Sequence, residues 1–197
     1  MDIKTLSDKL ESQIIKDSGL ELHRDYLGIS KIGGCPRRTV VEYLRGMNPD
    51  FDAHRMSFAG YEHQASIMGL LVKAGAIARV NIEVIAPFDK RLKGHADAGT
   101  AEAELIEIKS VTRAKFDHIQ KTRRCSSQHF TQIQLYMRYG GWNSAYVIYR
   151  CRETYRHEII KVPYIQVSAE RFEERAKMIL AFIDKDELPE CECGRCK

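Results

Sequence analysis

Two carboxylates and one ammonium group are the residues of this chain best placed to do chemistry together. Asp97 closes the run Gly94-His95-Ala96-Asp97, and Glu107 and Lys109 follow in Leu105-Ile106-Glu107-Ile108-Lys109. In an extended strand successive side chains alternate between faces, so Ile106 and Ile108 point one way while Glu107 and Lys109 point the other. One face is core; the other carries an acid and a base side by side. A hairpin of 91–98 and 104–111 centred on Glu102 would set Asp97 directly opposite Glu107. Facing anions are unfavourable unless a positive group lies between them, and Mg2+ or Mn2+ suits carboxylate oxygens. A slip of one residue would turn one carboxylate away.

Thiols form the second group. Of six cysteines, Cys191, Cys193 and Cys196 fall within the last seven residues, Cys35 lies near the start, and Cys125 and Cys151 stand alone. Neighbours as close as Cys-Glu-Cys-Gly-Arg-Cys cannot pair with one another without strained rings, so a shared metal explains the crowding better than disulfides. Cys125 and Cys151 read as ordinary free thiols.

The elements that position these groups follow from periodicity. Ile3, Leu6, Leu10 and Ile14 recur at helical spacing and Gly19 stops the run. Pro36 suits the first turn of a helix over 37–45, ended by Gly46, and a third helix covers about 54–73. The pattern then changes. Strands are expected over 80–85, 91–98 and 104–111, the last two joined by a turn containing Gly99. A helix covers 126–139, strands recur at 145–150 and 155–162, and a last helix spans 169–183 ahead of the cysteine-bearing tail. Helices, then a mostly antiparallel sheet, then further helices give an α/β or α+β domain. We expect one unit over 1–197, with a helical part at 1–75, a sheet core at 76–165 and a helix with tail at 166–197.

Composition narrows the class. The 197 residues carry 31 Lys plus Arg against 27 Asp plus Glu, a net charge of +4, and 44% are hydrophobic. That is a globular balance, mildly basic, which permits a polyanionic partner without demanding one. The most apolar stretches, 66–72 and 178–183, are too short to span a membrane, and 1–15 carries charges throughout. A cytoplasmic protein is the expectation. Arg113, Lys115, Lys121, Arg123 and Arg124 make a basic stretch suited to phosphate contacts.

The acidic hairpin resembles the PD-(D/E)XK nucleases in their RecB-like branch. Other motifs fall in that family's order: Gly60-Tyr61-Glu62-His63 is similar to its helix-borne histidine motif, and Gln132-Ile133-Gln134-Leu135-Tyr136 to its later glutamine–tyrosine motif. Cys35-Pro36-Arg37-Arg38 and the terminal cysteines are similar to its iron–sulfur members, closest to the CRISPR-associated Cas-four exonucleases with their phage relatives and the AddB-type recombination nucleases. The resemblance implies a restriction-endonuclease-like core with a mixed central sheet between helices. It implies a metal held by His63, Asp97, Glu107 and the backbone carbonyl of Ile108, with the imidazole favouring Mn2+ over Mg2+; His95 is the competing ligand. It assigns catalysis to Asp97, Glu107 and Lys109, with Gln132 and Tyr136 in support, on one face of their helix. Cys35, Cys191, Cys193 and Cys196 would hold a [4Fe-4S] cluster, with Zn2+ as the alternative because Cys193-Gly-Arg-Cys196 also looks like a zinc knuckle. The implied activity is a metal-dependent exonuclease on single-stranded DNA or overhangs, acting in CRISPR spacer acquisition with the spacer-integration proteins, or in phage or host recombination. A non-catalytic DNA-binding or scaffolding protein that keeps the fold is the alternative.

Overall fold

The computed structural model describes residues 2–20, 23–194 and 196. Its helices are α1 (Ile3–Asp17), α2 (Pro36–Arg45), α3 (Phe51–Lys73), α4 (Arg113–Thr122), α5 (Ser127–Gly140) and α6 (Gln166–Asp184). Its strands are β1 (Leu27–Gly28), β2 (Arg79–Ile85), β3 (Leu92–Gly99), β4 (Leu105–Val111), β5 (Ser144–Cys151) and β6 (His157–Pro163). They form a mixed sheet in which β1 pairs parallel with β3, β3 antiparallel with β4, β4 parallel with β5, and β5 antiparallel with β6, while β2 pairs with β3. The parallel β4–β5 pair needs a crossover rather than a hairpin, and α4 and α5 supply it. This is the mixed α/β architecture expected from the sequence.

Alternation along β4 decides what lies on each side of the sheet. Ile106 and Ile108 join Ala98 and Ile148 in an apolar cluster under Ile67, Met68 and Leu71 of α3. Leu105 and Val111 face the other way, into the main core with Ile133 and Met137 of α5 and Ile179 of α6. Glu107 lies on that second face, only 1% exposed. An acidic side chain buried in a core layer is rare unless something pairs with it.

The sheet is forked. One edge of β3 is paired with β2 from Lys93 to Gly99, but the other edge holds β1 only at Leu92 and Lys93 and β4 only at Ala98 and Gly99. Between these contacts β4 diverges from β3, although it stays paired with β5 from Leu105 to Val111. The register of the two closing pairs is the one expected, so the first position inside the fork is Asp97 opposite Glu107. Gly99 ends the strand, and the turn over 100–104 is made with Ala103 in the left-handed region.

Three expectations need correction. The helical spacing of Ile3, Leu6 and Leu10 is real, but these side chains are 88%, 55% and 62% exposed. The end of α1 is what docks on α3, through Ser18 Oγ at 2.7 Å from His54 Nδ1. Of the basic stretch, Arg113, Lys115 and Lys121 belong to α4, whose Phe116 and Ile119 reach the core from between charged neighbours, and Arg123 and Arg124 follow its end. Strand β1, two residues long, and the 3-10 turn Ile29–Lys31 went unread. No helix among the described residues is long and apolar enough to cross a membrane.

Helix α5 closes over the fork and requires space there. A Cβ on Gly94 would lie 2.7 Å from Tyr136 Oη and 3.1 Å from its ring, and that hydroxyl is pinned by donating to the His95 carbonyl at 3.0 Å. Gly94→Ala should therefore destabilise the fold by about 1–3 kcal/mol. A lowered urea midpoint with unchanged slope is the expected observation; an unshifted midpoint would show that α5 is free to move.

Candidate active site

Inside the fork, side chains take up backbone groups that the ladder leaves over. The Ile108 N–H donates to Asp97 Oδ2 at 2.6 Å, and the other oxygen, Oδ1, accepts from Gln64 Nε2 of α3 at 2.8 Å. Glu107 Oε1 accepts from Gln132 Nε2 at 2.9 Å and lies 2.6 Å from Lys109 Nζ. Glu107 Oε2 is buried with no partner. Buried polar atoms are nearly always satisfied, so an orphan carboxylate oxygen beside a second carboxylate marks a place for something else. Burial and the charge of Glu107 both push the Asp97 carboxyl upward. Burial pulls the Lys109 ammonium down, but Glu107 and Asp97 outweigh it and hold the group charged.

These groups line a cleft of about 600 Å³ together with Gln132, Tyr136 and, at the rim, Lys93. Lys93 Nζ stands 4.9 Å over the Tyr26 ring, with the Arg24 guanidinium 5.3 Å from the same ring. Gln132 and Tyr136, one turn apart on α5, reach different strands: Gln132 fixes Glu107 on β4, and Tyr136 fixes the His95 carbonyl on β3. The structure thus brings together Asp97, Glu107, Lys109, Gln132 and Tyr136.

It does not bring His63 to them. The imidazole packs against Tyr155, ring centroids 5.3 Å apart, and it is Gln64, the next residue, that meets Asp97. Consecutive helical residues point about 100° apart, so α3 cannot aim both at one carboxylate. His95 is exposed at the cleft wall. The side chain of Ile108 is core, and its N–H serves Asp97. Arg113, Lys115, Lys121, Arg123 and Arg124 are exposed but none lines the cleft; Arg113 pairs with Asp117, and Arg123 with Glu158. The cations at its wall are Arg24, Lys93 and Lys109.

The donor set suits a divalent ion. Asp97 and Glu107 offer hard oxygens, one of them unpartnered, and without the imidazole the set no longer favours Mn2+ over Mg2+. Such an ion would be held by these two carboxylates and would offset the repulsion between them.

The four distant cysteines do converge. The sulfurs of Cys35, Cys191, Cys193 and Cys196 all lie within 4.8 Å of one another, with Cys35–Cys196 at 3.5 Å and Cys193–Cys196 at 3.3 Å. Arg175 of α6, absent from the sequence reading, makes this possible. It donates to the Ile32 and Gly34 carbonyls at 2.9 and 2.8 Å and pairs with Glu192 at 2.6 Å, tying the loop before Cys35 to the tail. The N–H of Cys196 lowers the Cys191 thiol to about 6, toward the thiolate a metal requires.

Solved structures resemble this fold closely. An alkaline exonuclease, LHK-Exo, from Laribacter hongkongensis superposes with a TM-score of 0.62 at 12% identity, over 89% of this chain and 93% of that one. Its complex with dAMP gives 0.66 at 11%, over 91% and 93%. A phage-related exonuclease from Haemophilus somnus 129PT gives 0.58 at 13%, over 81% and 94%. The chain has the fold of these exonucleases. No family model and no curated protein matches the sequence. At such identities the likeness carries the fold, and the chemistry must be argued from the residues above.

The face that holds Lys109 continues onto β5, where Tyr149 is its register partner. The Tyr149 hydroxyl meets Cys125 Sγ at 3.1 Å and His129 Nδ1 at 3.1 Å, and accepts from the Ser126 N–H at 3.3 Å. Burial, reinforced by the charges of Lys109 and Lys115, lowers His129 to about 3. The folded state therefore keeps His129 neutral at pH values where the unfolded chain protonates it. Stability present above pH 6.5 is lost as pH falls from there toward 3. At pH 5 the loss should be about 2 kcal/mol, and His129→Gln should remove most of it. Denaturant midpoints at pH 7.5 and 5 for both proteins check this; parallel acid losses would place the imidazole in water.

Proposed function

We propose that this chain is a metal-dependent DNA exonuclease that hydrolyses phosphodiester bonds at single-stranded ends or overhangs. The observation that carries the reading is the buried, unpartnered Glu107 Oε2, facing Asp97 and flanked by the Lys109 ammonium. Neither a stable core nor a solvated surface calls for that combination. The fold shared with exonucleases, one of them in complex with dAMP, supports it.

A divalent ion held by Asp97 and Glu107 would lower the pKa of its bound water and offset charge growing on the phosphate. The protein supplies the rest. Gln132 holds Glu107 in place, and the Ile108 N–H with Gln64 holds Asp97, so both carboxylates are oriented before substrate arrives. Lys109 Nζ sits where it can donate to a phosphoryl oxygen and stabilise the charge that develops there. Tyr136 locks the β3 side of the fork. At the mouth, Tyr26 with Lys93 and Arg24 combines a ring and cations, the pairing that suits unpaired bases and their backbone. CRISPR spacer acquisition and phage or host recombination are the settings implied by the sequence resemblance.

The four cysteines are read as a metal site that fastens the two ends of the chain. A [4Fe-4S] cluster is what the resemblance implies. Three sulfur separations of 3.3 to 3.6 Å, in a set that lies within 4.8 Å, are also near the roughly 3.8 Å that tetrahedral zinc at about 2.3 Å per sulfur would set.

In an assay on 5′- or 3′-labelled single strands with Mn2+ or Mg2+, the wild-type chain should release mononucleotides. Glu107→Ala and Lys109→Ala should each lose at least about a hundredfold. Equal degradation by wild type and Glu107→Ala would sink the catalytic assignment. For the cysteines, anaerobically purified protein should contain bound metal that Cys193→Ser loses along with several degrees of Tm. Iron and a brown colour identify the cluster, colourless zinc identifies the single ion, and metal-free wild type removes the site.

A further inference from the structure

A second polar group lies just beyond Lys109, on the opposite face of the sheet. Arg150 is the register partner of Ser110, so both lie on the side covered by α3. Arg152 is fixed against the same serine, donating from Nε to Ser110 Oγ and from Nη2 to the Ser110 carbonyl, both at 3.2 Å. Arg150 stands 4.9 Å over the Tyr155 ring, and the His63 ring is tilted against it with centroids 5.3 Å apart. Among the described residues neither guanidinium is paired with a carboxylate, and Arg150 Nε is buried with no hydrogen-bond partner. Two cations, an imidazole and a phenol ring thus meet here; Glu153 and Glu62 lie near enough to feel these charges, but neither forms an ion pair with the two guanidiniums.

The backbone under Tyr155 supplies an independent observation. Its φ is +58°, in the left-handed region that bulky residues seldom occupy, and yet its side chain is 61% exposed. Glycine or asparagine would serve the turn between β5 and β6 with less strain. Strain retained at an exposed aromatic residue that adds nothing to the core points to a role outside folding.

This group adjoins the cleft described above. Arg152 lines a second cleft of about 310 Å³ whose other walls include Tyr61, Gln64 and Lys109, and these three also line the first. The two clefts therefore share a wall of Tyr61, Gln64 and Lys109, and Gln64 is the α3 residue that holds Asp97. Burial and the charges of Arg150 and Arg152 lower His63, against the opposing pull of Glu153 and Glu62. His63, unable to reach the carboxylates, finds its place here.

We infer that Tyr155, His63, Arg150 and Arg152 form a subsite for an unpaired nucleotide of the DNA strand that flanks the scissile phosphate, the base packing on Tyr155 and the phosphate meeting Arg152. The inference deepens the nuclease reading and rests on it for the identity of the strand. Aromatic rings give sequence-tolerant affinity for unpaired bases, and Arg152, whose bonds within the chain go to Ser110 and the Met56 sulfur, keeps further N–H groups that a phosphate can take.

The test uses the full chain and a fluorescein-labelled (dT)20 in EDTA, where binding is read by anisotropy without cleavage. Tyr155→Gly should weaken binding about tenfold while Tm stays the same or rises, because the strained φ is relieved. Arg152→Gln should weaken binding and lower the slope of log affinity against log salt by about one. A blunt duplex, whose bases are already stacked, should be much less affected by Tyr155→Gly. The proposal is overturned if Tyr155→Gly binds (dT)20 like wild type, if it loses Tm together with affinity, or if duplex and single strand weaken equally. Cleavage is scored separately. A wild type that degrades DNA while Tyr155→Gly binds normally rejects this subsite alone, whereas a wild type that binds through Tyr155 but never cleaves rejects the nuclease reading and leaves the subsite standing.

Discussion

The structure depends on one buried anion held open. Glu107 is 1% exposed, in a layer otherwise filled by Leu105, Val147 and Ile133, and only one of its two oxygens is satisfied. Burying a carboxylate costs several kcal/mol unless it is paired and hydrogen-bonded. Lys109 and Gln132 meet part of that need, and the facing Asp97 works against it. A sequence selected for stability alone would replace this quartet with apolar side chains. Its persistence in the core is explained by a ligand that completes it.

The fork between β3 and β4 makes room for such a ligand. Had the two strands stayed paired, the Ile108 N–H would belong to a ladder and no cleft would open. Because β4 is held along its full length by β5, it can leave β3 after two pairs without fraying. Side chains then replace the missing ladder: Asp97 accepts from Ile108, and Tyr136 donates to His95. Helix α5 serves all three strands from one seam, with His129 against Tyr149 on β5, Gln132 against Glu107 on β4 and Tyr136 against β3. These residues recur at three and four positions, the spacing that keeps them on one helical face. The helix thus runs unbroken across the place where the sheet divides.

Closure of the chain ends is a separate construction. Arg175 stands on α6, far in sequence from the loop it grips, and makes four hydrogen bonds, two to carbonyls and two to Glu192. That clamp brings Cys35 to the tail before any metal is considered. A planar, permanently charged fork suits such a junction, where a lysine could reach only one partner well.

Much of this was legible from local pattern. The alternation 105–111 and the short span between two strands suggest a hairpin in which Asp97 can oppose Glu107, but a slip of one residue was open to the sequence, and the Ala98–Ile106 and Gly99–Leu105 pairs set the register. The spacing of Gln132 and Tyr136 fixes a shared face. Other features depended on three dimensions. Which of two adjacent residues on α3 meets Asp97 is set by the rotation of that helix against the sheet, so Gln64 and His63 exchange roles within 100°. In α4 the charges at 113, 115, 117 and 121 hid the apolar pair Phe116 and Ile119. The sequence by itself determined the strands, the acidic pair and the thiol-rich tail, since these follow from periodicity over a few residues. Only the tertiary structure decided that β3 and β4 part, that Arg175 joins the ends, and that His63 stands with Tyr155 and two arginines, because each depends on contacts between segments that no local rule connects.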